Sequence, residues 1–507
     1  MANIPNSMKT DKAGDALIVL KDLCDHVKSD LSEIYSLVFG HSQFIPILLS
    51  TNSDEKKLHL LSLVLTMLKR QPKLCSSLQV PIYLGAYNAT LSKCDQLLID
   101  ILRVHELEGS VSFQAFKPMV WGQAAISKFS VLSQSKQTSK TLKVSEILAL
   151  FHPEKMFQSA LNFPNTFTKE FDSGELYDPR FVLPLLCQLC SPQRFVDKHL
   201  KLIESGGLAM ALASLSCRLD HLRQMGLVAL QRMYDQLQGA KKSLSAEKQI
   251  WLHLLDLVRH GLVKVCGEKD LLPRLPHITT SFLVHMTKIL SNPLDTMYKS
   301  ISQFILAKPV MDLFTVPEFL RLFHSSNVTH YTTEQEWVLN VIARGIKDEL
   351  DYSILQQNFI PKMLMSFYDC QLCKSSVSDL ILDIFVALCQ LPSVASDLVR
   401  NHGFLFWLKQ KEYKLQMGTI LRSLVTLKWS SQYQHELLHV TMGFVKMTSK
   451  SSTAPQLFSI LRDTLVKMED KKRLLTVMHD QIWTPAVSLQ NDDVDQVLVD
   501  IFQLPEK

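Results

Sequence analysis

Residues 250–266 read IWLHLLDLVRHGLVKVC, and this stretch decides the fold class. Its apolar residues recur every three or four positions and so form one face of a helix: Trp251, Leu254, Leu255, Val258, Leu262 and Val265. The ranges 57–69, 222–237, 376–391 and 415–427 show the same spacing, and few segments alternate with the period of two that a half-buried strand requires. The sequence therefore predicts an all-α protein without a substantial sheet.

The composition is that of a folded protein from a reducing compartment. The chain has 507 residues, of which 47% are hydrophobic and 20% charged, and glycine is scarce at 16 residues. This length exceeds one compact core, so the chain should divide into domains or grow by stacking repeats. Ten cysteines, from Cys24 to Cys389, lie mostly in apolar runs, where thiols act as small hydrophobes.

No segment predicts export or a membrane partner. The first fifteen residues are polar and lack the apolar core of a secretory signal. The longest apolar candidate, 60–68, is about half of the ~20 residues that cross a bilayer. The net charge of +5 permits contact with RNA without predicting it. We therefore expect a soluble protein of the cytosol or nucleus.

Weak internal repeats indicate how the helices are arranged. Phe44-Ile45-Pro46 and Phe359-Ile360-Pro361 each precede apolar residues, a polar break and a long helix. Gly206-Gly207-Leu208 and Gly403-Phe404-Leu405 each open a helix whose successor contains Gln-Met-Gly. A helix, a turn and a longer helix cannot bury all their apolar faces alone, so stacking is expected. We predict an armadillo/HEAT-like helical-repeat solenoid.

Three segments carry a more specific pattern. The first is Tyr87-Asn88-Ala89-Thr90-Leu91-Ser92 with Asp95; the second is Lys117-Pro118-Met119-Val120-Trp121-Gly122; the third is Asn162-Phe163-Pro164 followed by Tyr177-Asp178-Pro179-Arg180. In this order and spacing they resemble the carboxy-terminal region of the nucleolar pre-ribosomal-associated protein one family, also called Npa-one or Urb-one. Asn88 stands where the family is expected to have glycine.

This resemblance implies a non-catalytic scaffold in early large-subunit assembly and pre-rRNA processing, in the nucleolus of the nucleus. It implies partners in pre-ribosomal particles, including a DEAD-box RNA helicase, and contact with pre-rRNA and small nucleolar RNA. Family members are much longer, so the chain is interpreted as a fragment or short form. The residues alone also allow a generic helical-repeat adaptor in transport or another complex.

The resemblance also suggests a division of the chain. A family-like domain spans 80–270, with loops at 127–145 and 162–179, between helical-repeat segments at 1–79 and 271–507. Within this domain the motif residues also have structural interpretations. Ser92 caps a helix with Asp95 in its first turn, Trp121-Gly122 is an anchor and a turn, and Tyr177-Asp178-Pro179 leads into a helix.

Patterns for catalysis and metal binding are incomplete. His435-Glu436-Leu437-Leu438-His439 has the H-E-x-x-H form of zinc peptidases, but Met442 occupies the glycine position of the extended motif. The pairs Cys187/Cys190 and Cys370/Cys373 are too far apart for a zinc ribbon and are interpreted as core thiols. The sequence has no G-x-x-x-x-G-K-[ST] phosphate loop and no G-x-S-x-G elbow. We expect no catalytic residue, no metal and no cofactor.

One stretch is a candidate contact for RNA. Between Gly109 and Ser145 the chain has no aspartate or glutamate and carries five lysines: Lys117, Lys128, Lys136, Lys140 and Lys143. Lysines on an exposed loop can follow a phosphate backbone and release its counterions. A solvated loop without a partner is the simpler interpretation.

Neutralising Lys128, Lys136, Lys140 and Lys143 together should weaken RNA association and reduce its dependence on salt, because each phosphate contact releases counterions. Binding titrations between low and high salt measure both effects, and circular dichroism checks that helicity is unchanged. Unchanged affinity and salt slope would place the contact elsewhere on the chain.

Overall fold

The computed structural model describes residues 13–26, 30–50, 55–113, 121–126, 144–167, 172–191, 199–239, 246–266, 273–448 and 454–468, with residues 497 and 501. Helices form most of the regular structure in this part of the chain, as predicted. Lys117, Lys128, Lys136, Lys140 and Lys143 lie outside the described residues.

The first part of the chain contains these elements: α1 Ala13–His26, α2 Ser32–Phe39, α3 Phe44–Leu48, α4 Glu55–Arg70, α5 Val80–Ala86, β1 Thr90–Leu91, α6 Lys93–Leu107, α7 Val144–Leu148, α8 Pro153–Leu161, β2 Ser173–Tyr177, α9 Pro179–Leu189, α10 His199–Glu204, α11 Gly207–Ala213, α12 Asp220–Gly239 and α13 Ala246–Cys266. Short 3-10 helices lie at Pro72–Leu74 and Ser214–Ser216. The helix α7 begins at Val144, so the last two residues of the predicted loop 127–145 are helical.

The remaining elements are all helices: α14 His277–Leu290, α15 Tyr298–Ala307, α16 Phe319–Phe323, α17 Tyr331–Gly345, α18 Glu349–Gln357, α19 Ile360–Tyr368, α20 Ser375–Cys389, α21 Pro392–His402, α22 Phe404–Lys409, α23 Leu415–Thr426, α24 Ser431–Met447 and α25 Ala454–Val466. No single described helix has both the length and the apolar composition to cross a membrane. Helices α20 and α21 reach this length and apolar composition only when they are counted together, and the chain bends by 116° between them.

The described residues form two compact units. The first takes its residues from 1–260, 266–274 and 283–309, and the second from 261–265, 275–282 and 310–507. In the first unit α1 packs on α4, α4 on α6, and α9 on α12. In the second, α17 packs on α20, α20 on α23, and α24 on α25. The predicted segments 1–79, 80–270 and 271–507 stay a prediction.

Several short helices begin directly after a residue in the left-handed conformation. Gly206 precedes α11 with φ 84°, and Gly403 precedes α22 with φ 63°. Glu318 and Phe359 occupy the same position before α16 and α19, with φ 53° and 55°. Glycine adopts this conformation without a steric penalty, which explains why glycine marks two of these helix starts in the sequence.

The two Phe-Ile-Pro tripeptides open helices as predicted, but their side chains differ in role. Phe44 lies inside α3 and is 1% exposed, whereas Phe359 precedes α19 and is 71% exposed. The next residue reverses this, since Ile45 is exposed and Ile360 is buried. The two tripeptides therefore occupy equivalent places in the order of elements. The phenylalanine is buried in the first tripeptide and the isoleucine in the second.

Several hydrogen bonds between elements join residues 40 to 46 positions apart, although others join residues at different separations, for example 18 and 134 positions. In the first unit Leu31 N donates to Gln71 Oε1 at 3.1 Å, 40 residues away. In the second, Lys374 Nζ donates to Thr332 Oγ1 at 2.7 Å and Trp407 Nε1 to the Met365 carbonyl at 3.1 Å, both across 42 residues. A shared separation of this kind arises when successive segments of similar length pack side by side.

The helices α14 and α17 approach each other closely at one backbone position. Gly345 ends α17, and a Cβ added there would lie 2.6 Å from Ile278 Cα, closer than real Cβ atoms come to backbone. Gly443, inside α24, has no atom within 4 Å of the same position.

Gly345→Ala should lower the free energy of unfolding by about 1–3 kcal/mol, because the backbone around Ile278 must move. Gly443→Ala is the matched control and should raise it by about 0.5–1 kcal/mol, since alanine is the better helix former. Urea unfolding of both variants measures the difference. Equal effects in the two would show that the close approach does not constrain the packing.

Candidate functional site

The motif segments predicted from the sequence meet in the first unit. Strands β1 and β2 pair antiparallel, with Thr90 opposite Tyr177 and Leu91 opposite Ser173. Asp178 N extends the pairing by donating to the Ala89 carbonyl at 2.8 Å. We call residues 87–95, 121–124 and 173–181 the motif cluster. It brings together side chains that lie about ninety residues apart in the chain.

Asp95 forms hydrogen bonds with three other residues of the motif cluster. Its amide is capped by Ser92 Oγ at 3.2 Å, which is the cap that the sequence indicates. Its carboxylate turns back to the preceding loop, where it accepts from Asn88 N at 3.2 Å, Thr90 N at 2.8 Å and the Thr90 hydroxyl. These bonds hold a loop in which Ala89 has φ 60°, a conformation that non-glycine residues seldom adopt.

The pKa of Asp95 reflects two opposing effects. Its side chain is almost fully buried, and this burial raises the pKa of the carboxyl above its ordinary value. The hydrogen bonds from Thr90 and Asn88 and the charge of Lys57 oppose this shift without cancelling it. Asp95 is therefore a buried carboxylate with backbone donors as its main partners.

Helix α8 supplies the partners of β2. Ser159 Oγ accepts from Tyr177 N at 2.7 Å, and Lys155 Nζ donates to the Gly174 carbonyl at 2.7 Å. The Lys155 ammonium also lies 5.0 Å from the centre of the Tyr177 ring, and partial burial lowers the pKa of Lys155. Backbone groups of both strands are thus already bound by side chains: Asp95 on β1, and Ser159 and Lys155 on β2.

Asp178 links β2 to α9. It is fully buried, and it caps the helix by accepting from Arg180 N at 2.8 Å. The Arg180 guanidinium returns to the same carboxylate, with Nη2 2.8 Å from Asp178 Oδ2, and stacks 4.8 Å from the Phe167 ring. Pro179 occupies the first helical position, where its missing N–H removes no bond. This is the predicted turn into a helix.

Aromatic rings pack against one another in and around the motif cluster. Trp121 lies 4.9 Å from Phe181 and 5.3 Å from Phe151, and Tyr87 lies 5.3 Å from Phe181. Gly122 turns the chain after Trp121 with φ 60°. Pro164 is also buried, in the non-helical connector that follows α8. These rings and turns pack the cluster, as their residue types suggest.

A cavity of about 580 Å³ opens in the motif cluster. Its lining includes the buried residues Lys57, Thr90, Ser92, Cys94, Asp95, Trp121, Gly122 and Tyr177. Its exposed or half-buried lining comprises Asn88, Gln123, Ala124, Ala149, Leu150, Lys155, Gly174 and Glu175. Sequence reasoning identified motif residues but not the cavity, because its walls come from segments far apart in the chain.

The residues that the sequence offers as candidate metal ligands lie outside the motif cluster. On α24, Glu436 and His439 are exposed, and His435 Nδ1 lies 2.7 Å from the Ser431 carbonyl. Cys190 is buried, whereas Cys370 is exposed, so the interpretation as a core thiol is wrong for Cys370. The absence of a bound metal stays a prediction.

One buried group that sequence reasoning missed has ligand atoms close enough for a metal: His277, Asp348 and Asp351, in the second unit. His277 Nδ1 lies 3.2 Å from Asp351 Oδ2. The same carboxylate accepts from the backbone of Ile278, Lys347 and Asp348 at 3.0–3.2 Å. Asp348 and Asp351 form the capping box of α18. The N-terminus of α18 and these backbone N–H groups stabilise a negative charge on Asp351. We therefore interpret the group as a contact that holds α14 against α18.

Comparison with known proteins supports the resemblance. A family model described as nucleolar pre-ribosomal-associated protein 1 matches residues 208–407. The mouse protein named nucleolar pre-ribosomal-associated protein 1 is 29% identical over 426 residues, and the human protein of that name is 30% identical over 399 residues. The alignments cover 79% and 75% of this chain but 18% and 17% of the relatives, so the chain spans less than a fifth of their length. No solved structure matches the chain.

These matches confirm the resemblance and extend it. The three motif segments end at Arg180, and the family model begins after them, at residue 208, and ends at residue 407. The part of the second unit up to residue 407 therefore shares sequence with the family in addition to helical character.

Asp95→Ala should lower the free energy of unfolding by about 2–3 kcal/mol, because it leaves the Asn88 and Thr90 donors without their acceptor. Asp100→Ala is the control on the same helix α6, since the Asp100 side chain is 44% exposed and forms an ion pair with Arg103 at 3.3 Å. Its effect should stay within about 0.5 kcal/mol. Comparable losses in both variants would mean that the loop holds its shape without Asp95.

Iodoacetamide at pH 8 should alkylate Cys370 at least about tenfold faster than Cys190 in the folded chain. Cys190 is 1% exposed and burial raises its pKa to about 12, so little of it is the reactive thiolate. Mass spectrometry of a time course measures both rates, and the difference should vanish in denaturant. Equal rates in the folded chain would contradict the packing of α9.

Proposed function

Because this chain is a relative of the nucleolar pre-ribosomal-associated protein 1 family, we propose that it acts in the nucleolus as a non-catalytic scaffold in early assembly of the large ribosomal subunit and in pre-rRNA processing. One observation carries the proposal: the similarity covers three quarters or more of this chain, in both proteins of that name. It is not confined to one leucine-rich helix that any helical protein could match.

The architecture supports a scaffold. We propose an armadillo/HEAT-like solenoid, in which each segment stacks on the next, because several hydrogen bonds between elements share a separation of 40 to 46 residues. In the second unit the left-handed residues Glu318, Phe359 and Gly403 precede α16, α19 and α22 at separations of 41 and 44 residues, which is a similar spacing. Stacked helical repeats present long continuous surfaces, which suits the binding of several partners at once.

The partners follow from the proposed location. We propose that the chain joins pre-ribosomal particle proteins, including a DEAD-box RNA helicase, and that it contacts pre-rRNA or small nucleolar RNA. The lysines between Gly109 and Ser145 are one candidate surface for RNA. Asp95 and Asp178 of the motif cluster, and Ser159 beside it, accept hydrogen bonds from backbone amides, which suits a structural role better than a catalytic one.

Localisation and sedimentation of the tagged chain test the proposal. We expect nucleolar retention, sedimentation with large-subunit precursors, and accumulation of unprocessed large-subunit rRNA when the chain is depleted. A generic adaptor would remain in light fractions outside the nucleolus, and that result would overturn the proposal. Crosslinking in cells, followed by mapping on ribosomal precursors, would then identify the RNA that is contacted.

A further inference from the structure

We propose that the cavity of the motif cluster binds one unpaired base of a single-stranded RNA through hydrogen bonds to the edge of the base. This inference rests on the proposed function for the source of the RNA. The size, charge and polar groups of the cavity supply the rest of the argument.

The cavity has the volume and the rigidity of a binding site. About 580 Å³ lies within the range of pockets that hold small ligands, and it accommodates a base with its ribose. Its floor is fixed before any ligand arrives, because Thr90, Ser92 and Asp95 bond to one another. A floor that needs no rearrangement reduces the entropy lost on binding.

The charges of the lining exclude a purely ionic ligand. Two cations, Lys57 and Lys155, face two carboxylates, Asp95 and Glu175. Both ammonium groups also donate to backbone carbonyls, Lys57 to Ser50 and Lys155 to Gly174. A phosphate or an ammonium group would gain no net attraction from such a lining. The balance favours an uncharged ligand that has both donors and acceptors.

The exposed part of the lining offers the groups that distinguish bases. Asn88 and Gln123 are exposed carboxamides, and a carboxamide has one acceptor and two donor hydrogens. Asn88 Nδ2 donates one of its hydrogens to the Ala86 carbonyl at 3.4 Å. Carboxamides pair with adenine through its adjacent donor and acceptor, and a carboxylate such as Glu175 accepts from the cytosine amino group. In duplex RNA the major groove is too deep and narrow for side chains to reach these edges, whereas an unpaired base exposes them.

A peptide fits the cluster less well. Extended peptides bind by adding a strand to a sheet edge, where they pair with free backbone groups. Here Asp95 already binds the amides of Asn88 and Thr90, and Ser159 and Lys155 bind Tyr177 N and the Gly174 carbonyl. The cavity mouth therefore recognises its ligand through side chains and not through backbone pairing. A single unpaired base is recognised in this way.

Fluorescence anisotropy with the full chain tests the proposal. The probe is a labelled 12-nucleotide single-stranded RNA of mixed sequence, compared with an abasic oligomer of the same length at one salt concentration. We expect the abasic oligomer to bind about tenfold more weakly. The double variant Asn88→Ala/Gln123→Ala should lose about tenfold in affinity for the normal oligomer only, with an unchanged salt slope, because no phosphate contact is removed.

Two further variants separate the cavity from general effects. Gln410→Ala/Gln432→Ala removes two exposed carboxamides from the second unit and should bind like the native chain. Ala149→Trp leaves every polar group in place but fills the cavity, so it should reproduce the loss. Unfolding curves confirm that each variant is folded.

The possible failures are distinct. Absence of RNA binding, equal affinity for normal and abasic RNA, or native affinity of the Asn88/Gln123 variant would overturn the base site. If the chain still sediments with pre-ribosomes, the proposed function survives that failure. Base-dependent binding by a chain that stays outside the nucleolus would support the site and overturn the proposed function.

Discussion

A short pair of helices cannot bury its own apolar surface, and this constraint underlies the whole structure. Each helix presents an apolar stripe to its partner and leaves further apolar residues that only another element can cover. In the second unit α20 meets this requirement on two sides, since it packs against both α17 and α23. Its buried residues, from Val377 to Cys389, accordingly occupy more than one stripe of the helix.

The bends between helices limit which residues this packing allows. Gly206 and Gly403 adopt left-handed backbone without penalty, but Phe359 adopts it with a Cβ and with an aromatic ring in solvent. The packing of Ile360 and Leu364 beyond the bend holds Phe359 in this conformation. Stacking therefore dictates the backbone of the bend even where the local residue disfavours it.

The sequence predicted the elements more completely than it predicted the site. Helical periodicity and the glycine pattern identified the starts of α11 and α22, because both signals are local. Ser92 was predictable as a cap because a serine three residues before an aspartate is a local pattern too. The second role of Asp95 was not, since it depends on Ala89 adopting an unusual conformation and on β1 finding β2 some eighty residues later. The cavity follows from those two events and so has no local signature.

The motif cluster departs from the helical pattern, and its chemistry explains how it is tolerated. The two short strands have amides and carbonyls that a helix would have paired internally. Such buried groups lower the stability of the fold when they lack hydrogen-bond partners. The neighbouring helices satisfy them with side chains: Asp95 from α6, and Lys155 and Ser159 from α8. Two of these side chains, Asp95 and Lys155, also line the cavity, so residues that make an irregular patch stable also shape its opening. Stability and any recognition at this site are therefore coupled, and a change that loosens Asp95 alters both.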